Sequence, residues 1–309
     1  MPVTVEESIK YREFVSRIAR ENGCFDYQPD QIVWHYTDGP GLLGILESSR
    51  LHATQVSALN DAKETRYASE LFIKAIRQLI EARAAEQDVV TFLNAVVGFS
   101  EENVEAHVRS KFFVTCFSGE EDDLSQWERY GRQNGYALGF YARGLNREPA
   151  SALYRVIYDP EKQERAAQEL AEATVNFYLE GLTGDRLESP DQWIRDFLTA
   201  WDEWVYKLAP LAKAIKWRAE NEFRIVHELK IAEFPEVRFK ARPAMIARYL
   251  PLDTPIWVAR RQGLLPLAKI WIGPGSHQQT SKISIGLLPD QMGYVGIAIE
   301  TSQIPLQHV

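Results

Sequence analysis

Cysteine is nearly absent: Cys24 and Cys116 are the only two in 309 residues. No spaced cysteine pair exists, so the chain encodes neither a zinc-binding framework nor a disulfide scaffold, and a reducing compartment is expected. Long apolar runs are missing too. No stretch approaches the roughly 18 consecutive apolar residues of a membrane-spanning helix. The opening segment, MPVTVEESIKYREFV, carries early acids and no apolar centre, so no secretory signal is expected. Together these absences imply a cytoplasmic protein with no membrane partner.

A cationic excess is also lacking, since the formal net charge is -8. A protein that lives on non-specific phosphate contacts is ordinarily basic, which argues against bulk nucleic-acid binding. A local basic groove stays open, and Lys216, Arg218 and Arg224 would contribute to one. The phosphate-loop pattern G-x-x-x-x-G-K-[ST], the G-x-S-x-G elbow and H-E-x-x-H do not occur. Histidines 35, 52, 107, 227, 277 and 308 never pair at metal-ligand spacing, so no metal is expected.

What is present is ordinary globular material. With 45% hydrophobic and 25% charged residues, the chain has enough apolar content to bury a substantial core. Its length suits a single elaborated domain over residues 1–309, with helical insertions at about 61–110 and 160–216. Residues 5–22 show the spacing of an amphipathic helix. Residues 31–37 read as a strand that stops at Asp38-Gly39-Pro40, with a short helix to follow. Asp61 and Glu64 resemble a capping box that opens a helix to about 87, with more helix over 88–110. Strands are expected at 112–117, 136–141, 154–158, 222–228, 235–240, 268–272 and 295–299. Trp193, Phe197, Trp201, Trp204 and Leu208 form a helical core stripe. Strands broken up by two helical blocks predict an α/β chain of the α+β type, its sheet mixed or antiparallel rather than doubly wound.

Three constellations stand out. His35 lies on a strand, on the face opposite Trp34 and Tyr36. A neutral imidazole offers one donor and one acceptor, which suits sugar hydroxyls or an amide, and equally suits a bonded core histidine. Glu222 opens another strand, with Glu220 as a competing carboxylate. The Glu222 carboxylate would accept hydrogen bonds from a ribose or stabilise developing positive charge; it shares a face with Arg224 by the period of two, so the two would equally form a pair on a solvated strand. Trp127 and Tyr130, three residues apart on a short helix, would share a face to stack on a planar ring or to anchor the core.

In order, these pieces resemble the bacterial family called domain of unknown function 2971. The resemblance rests first on Trp34-His35-Tyr36-Thr37 with the helix to Leu46, then on Leu59-Asn60-Asp61 with Glu64. Val114-Thr115-Cys116-Phe117-Ser118 follows, then Ser125-Gln126-Trp127 with Tyr130, Gly135 and Phe140. Lys216-Trp217 precedes Glu220, Glu222, Phe223 and Arg224. Ile270-Trp271-Ile272-Gly273 and Ser302-Gln303-Ile304-Pro305 close the set, which spans roughly residues 31–305. Leu59 replaces the family's usual aromatic.

A more remote resemblance, limited to short motifs, is to ADP-ribosyltransferases of the His-Tyr-Glu, poly(ADP-ribose) polymerase type. Asn221-Glu222-Phe223 with Ile225-Val226 is similar to their glutamate-bearing strand. The His35-Tyr36-Thr37 strand and its helix resemble the opening of DNA-modifying toxins of that class.

This second resemblance implies a split, mainly antiparallel sheet and an enzyme that cleaves NAD and transfers ADP-ribose to a macromolecule, protein or nucleic acid. His35 would hold a ribose hydroxyl and the carboxamide, and Tyr130 (or Tyr136) would stack on the nicotinamide. Glu222 (or Glu220) would bond the ribose 2′-hydroxyl and stabilise the transition state. Tyr36, Thr37, Asn60, Trp127 and Arg224 would complete the NAD site, with His35 and Glu222 on adjacent central strands. The same resemblance implies a toxin or anti-phage effector restrained by an inhibitory or regulatory protein partner. The alternative is a non-catalytic nucleotide- or protein-binding module on the same fold.

Overall fold

The computed structural model describes residues 2–28, 30–59, 63–131, 135–145, 151–205, 207–242, 245–252 and 263–305. Two compact units emerge. One gathers Met1–Asp26, Val56–Phe112 and Val156–Arg218, and the other Tyr27–Gln55, Phe113–Arg155 and Ala219–Val309.

The first unit is helical. Thr4 caps helix Val5–Glu21 by accepting from Glu7 N–H while the Glu7 carboxylate accepts from Thr4 N–H, a reciprocal box that satisfies two end donors. Lys63–Ala82, Gln87–Lys111, Pro160–Gly181 and Pro190–Val205 supply the other long helices. The expected stripe is core: Trp193, Phe197 and Trp201 are buried and pack with Tyr11, Phe92, Phe177 and Tyr178, and Leu208 packs against that cluster. Each such aromatic, fully removed from water, contributes about 2–3 kcal/mol. The Trp204 side chain lies outside the described residues, as do Asp61 and the Glu64 side chain of the expected capping box. Among the described residues no helix is long and apolar enough to cross a membrane.

The second unit carries the sheet. Its strands are β1 (Ile32–Thr37), β2 (Leu51–Gln55), β3 (Phe112–Ser118), β4 (Tyr136–Tyr141), β5 (Ser151–Arg155), β6 (Glu222–Glu228), β7 (Arg238–Arg242), β8 (Met245–Leu252), β9 (Leu267–Ile272) and β10 (Ala298–Thr301). The order is β10-β9-β4-β1-β3-β2-β8-β7, with β6 paired to β3 and β5. Only the β9–β10 register is parallel among those described, so the α+β expectation of a mainly antiparallel sheet holds.

Two strands, β2 and β8, were not expected. Both are short or interrupted in pattern: β2 alternates buried Leu51, Ala53 and Gln55 with half-buried His52 and Thr54, and β8 contains Pro251. The strand expected at 154–158 sits three residues earlier, at Ser151–Arg155, because Ala152 to Arg155 take their register from Val226 to Phe223 of β6.

The antiparallel registers set the faces. Val33 lies opposite Phe140, and Leu138 opposite Ile270. These join Phe113, Phe117, Phe223, Ile225 and helix Gly39–Ser48 in the main core. The other face of β1 holds a small cluster of Trp34, Tyr36, Trp127, Ala137 and Trp271.

Candidate functional site

All three constellations contact β3 or the acidic turn Gly119-Glu120-Glu121-Asp122-Asp123 that follows it, but from opposite faces: His35, opposite Leu138 in register, turns to the main core, and Glu222 and Arg224 turn away from it. His35 reaches β3 from β1. Its Nδ1 lies 2.9 Å from the Cys116 carbonyl oxygen. A carbonyl only accepts, so Nδ1 carries the proton and Nε2 of the neutral ring is an acceptor. The ring is half-buried with its centroid 5.7 Å from that of Phe117. Burial holds its pKa below the usual histidine range; the Cys116 bond opposes that shift and the charge of Lys240 adds to it. The imidazole is therefore neutral at pH 7.

Tyr36 points to the opposite face. Its hydroxyl donates to the Glu120 carbonyl at 2.8 Å and accepts from Asp123 N–H at 3.2 Å, so it staples the acidic turn to β1. Burial raises its pKa, and the hydroxyl stays protonated. Thr37 closes β1 opposite Tyr136 and is half-buried. Asn60 lies outside the described residues.

The third constellation departs from expectation. Asp123 caps the single turn Leu124–Gln126, accepting from Gln126 N–H at 3.0 Å and from the Ser125 hydroxyl. From Trp127 to Gly131 the chain widens into a π turn. A π turn closes i to i+5, so residues three apart no longer share a face. Trp127 is 1% exposed and Tyr130 41%. The two aromatics do not form one stacking surface. Trp127 instead donates from Nε1 to Asp122 at 2.7 Å and meets the Tyr36 ring edge-on at 4.7 Å. Between them on the turn, Arg129 pairs with Glu220.

Glu222 begins β6, which is buried along nearly all its length. Arg224 donates from Nε to Glu222 Oε1 at 2.9 Å and from its terminal nitrogen to Oε2 at 2.7 Å. The pair expected on a solvated strand thus forms, but inside the protein. Phe223 and Ile225 enter the main core, so alternation turns Glu222 and Arg224 to the other side of β6. Asn221, between the two carboxylates, has a left-handed φ of 40°. Its carbonyl accepts from Gly119 N–H at 2.7 Å, and its side-chain amide donates to Glu120 at 3.0 Å. Ser118 donates its hydroxyl to the Glu220 carbonyl at 3.0 Å.

β1 and β6 are not neighbours, contrary to expectation; each pairs with β3, β1 at Trp34–Ser118. The structure brings together Tyr36 with Trp127, and Glu222 with Arg224. It ties His35 to Cys116 and Glu220 to Ser118 and Arg129. Composition marked the acidic run only as a turn. Its role as the hub depends on backbone carbonyls and amides, which leave no trace in residue type.

Residues 126–225 match the model of a family described as a protein of unknown function, DUF2971. This is the family that the ordered sequence pieces resemble. The matched stretch holds Trp127, Tyr130, Glu220, Glu222 and Arg224, while His35, Tyr36 and Thr37 lie before it. No curated protein and no solved structure matches the chain.

Proposed function

We propose that the chain is a cytoplasmic NAD-cleaving ADP-ribosyltransferase. The observation that supports this most is the anchoring of the Glu220-Asn221-Glu222 segment on Ser118 to Glu120 at the end of β3, the strand whose Cys116 carbonyl also holds His35. In the proposed reaction the bond between ribose C1′ and the nicotinamide nitrogen breaks, and its electron pair leaves with nicotinamide. The acceptor then adds to C1′ and loses a proton. His35 Nε2, an acceptor, takes a hydrogen bond from a ribose hydroxyl or the carboxamide N–H. Glu222 opposes the positive charge that develops at C1′, and Arg224 fixes its orientation. Tyr130, partly exposed beside this turn, covers the nicotinamide, with Tyr36, Thr37 and Trp127 shaping the pocket. Such an enzyme fits a toxin or anti-phage effector restrained by a regulatory protein partner, because unregulated loss of NAD is harmful.

One observation favours a second reading, a non-catalytic binding module. Both carboxylates are held by arginines, Glu222 by Arg224 and Glu220 by Arg129, which offsets the negative charge a transferase would use. Nicotinamide release decides between them. The full chain with NAD releases nicotinamide under the transferase reading, and Glu222→Gln does not. Absence of release from wild type, with protein, RNA or DNA offered as acceptor, selects the binding module.

A further inference from the structure

On a chain of net charge -8, one face of the sheet's end reverses sign. β7 is the last strand in the order, and its sequence Arg-Phe-Lys-Ala-Arg alternates cations with other residues. Arg238 pairs in register with Tyr249 of β8, and Tyr249 with Thr54 of β2; Lys240 pairs with Ala247, and His52 with Pro251. Paired residues share a face, so Arg238, Lys240, Tyr249, Thr54 and His52 all lie on one side.

Lys240 is exposed and has no hydrogen-bond or ion-pair partner among the described residues. Arg238 is half-exposed, donating to the Pro235 carbonyl with Glu236 3.8 Å away. Beside these cations the half-buried rings of His52 and Tyr249 lie 4.4 Å apart at 37°. Charges alone would protect an edge strand from pairing with another chain. That role needs no aromatic pair beside them.

We propose that this β2–β8–β7 face binds single-stranded nucleic acid, with phosphates on Lys240 and Arg238 and an unstacked base on the His52–Tyr249 pair. Cations tracking a backbone next to a ring that stacks a base form the general chemistry of single-strand binding. A duplex hides the base faces, and an acidic peptide does not set a planar ring beside every anionic group of its backbone as a nucleic-acid strand does.

The test uses fluorescence anisotropy of labelled DNA and RNA strands of about twelve nucleotides, with the full chain and no NAD. Its failure is thereby distinct from failure of NAD cleavage. Binding is expected, with a logarithmic salt slope near -1.4 for two phosphate contacts at roughly 0.7 each. Arg238→Glu with Lys240→Glu abolishes it. Tyr249→Leu weakens it about tenfold or more while Tyr249→Phe retains it. The tighter of the DNA and RNA arms names the natural strand. No binding at low salt, equal binding by the charge-reversed protein with an unchanged melting curve, or displacement by an acidic peptide as effective as unlabelled strand overturns the proposal. Lys240→Glu alone serves if the double variant misfolds.

Discussion

Gly119 and Asn221 hold each other where β3 ends and β6 begins. Gly119 N–H donates to the Asn221 carbonyl at 2.7 Å, and a methyl group on Gly119 would collide with the Asn221 side-chain amide. Asn221 is one of two non-glycine residues described with positive φ. Its left-handed turn re-aims the chain so that Glu220 meets Arg129 and Glu222 meets Arg224.

That geometry predicts an order of stabilities. Asn tolerates the left-handed region better than most residues, and glycine adopts it freely. Asn221→Ala loses the bond to Glu120 and gains backbone strain, so it falls below Asn221→Gly by about 1 kcal/mol. Gly119→Ala costs about 1–3 kcal/mol through overpacking. Urea denaturation measures all three. Equal stability of the Ala and Gly variants at 221 would remove the strain argument.

The Glu222–Arg224 pair predicts a clear asymmetry. Glu222→Ala removes the bidentate carboxylate from a buried guanidinium and costs about 3–5 kcal/mol. Glu222→Gln retains an acceptor and costs less. Replacing both residues with Met recovers much of the loss, since well-packed apolar substitutes for a buried pair are often neutral. A double variant no better than Glu222→Ala would show that the pair is not an isolated unit.

The imidazoles predict the response to acid. His35 and His52 are both held below the ordinary histidine value, by burial first and by Lys240 in part. A folded-state pKa below the unfolded one gives stability that is complete above about 6.5 and is lost as pH falls below it toward the folded value. Denaturation midpoints at pH 8 and pH 5.5 should differ more in wild type than in His35→Asn/His52→Asn. An identical difference in both proteins would place the acid response elsewhere.

Trp127 and Tyr130 should separate cleanly. Trp127→Ala opens a buried void and costs about 3–5 kcal/mol. Tyr130→Ala, at a position 41% exposed, leaves thermal stability nearly unchanged. If Tyr130 covers the nicotinamide, Tyr130→Ala weakens NAD binding in calorimetry and Tyr130→Phe does not. Loss of stability in Tyr130→Ala together with unchanged NAD binding would assign it to packing.

Local pattern determined a good part of this protein. β-branched and aromatic runs marked β1, β3, β4 and β6, and a three- and four-residue spacing marked the Trp193–Phe197–Trp201 stripe. The period of two put Glu222 and Arg224 on one side of a strand, where they pair. These features depend on neighbours a few residues away. Tertiary structure decided the rest. β2 and β8 exist because each finds a partner strand, despite His52, Thr54 and Pro251 in their sequences. The π turn parts Trp127 from Tyr130 where helical spacing had joined them. Whether Glu222 was solvated or buried depended on β6 lying between β3 and β5. The hub at Cys116 to Asp123 is made of carbonyls and amides that every residue possesses. Which of them His35, Tyr36 and Asn221 bond is set by which strands become neighbours, and that is a property of the whole fold rather than of any short stretch of chain.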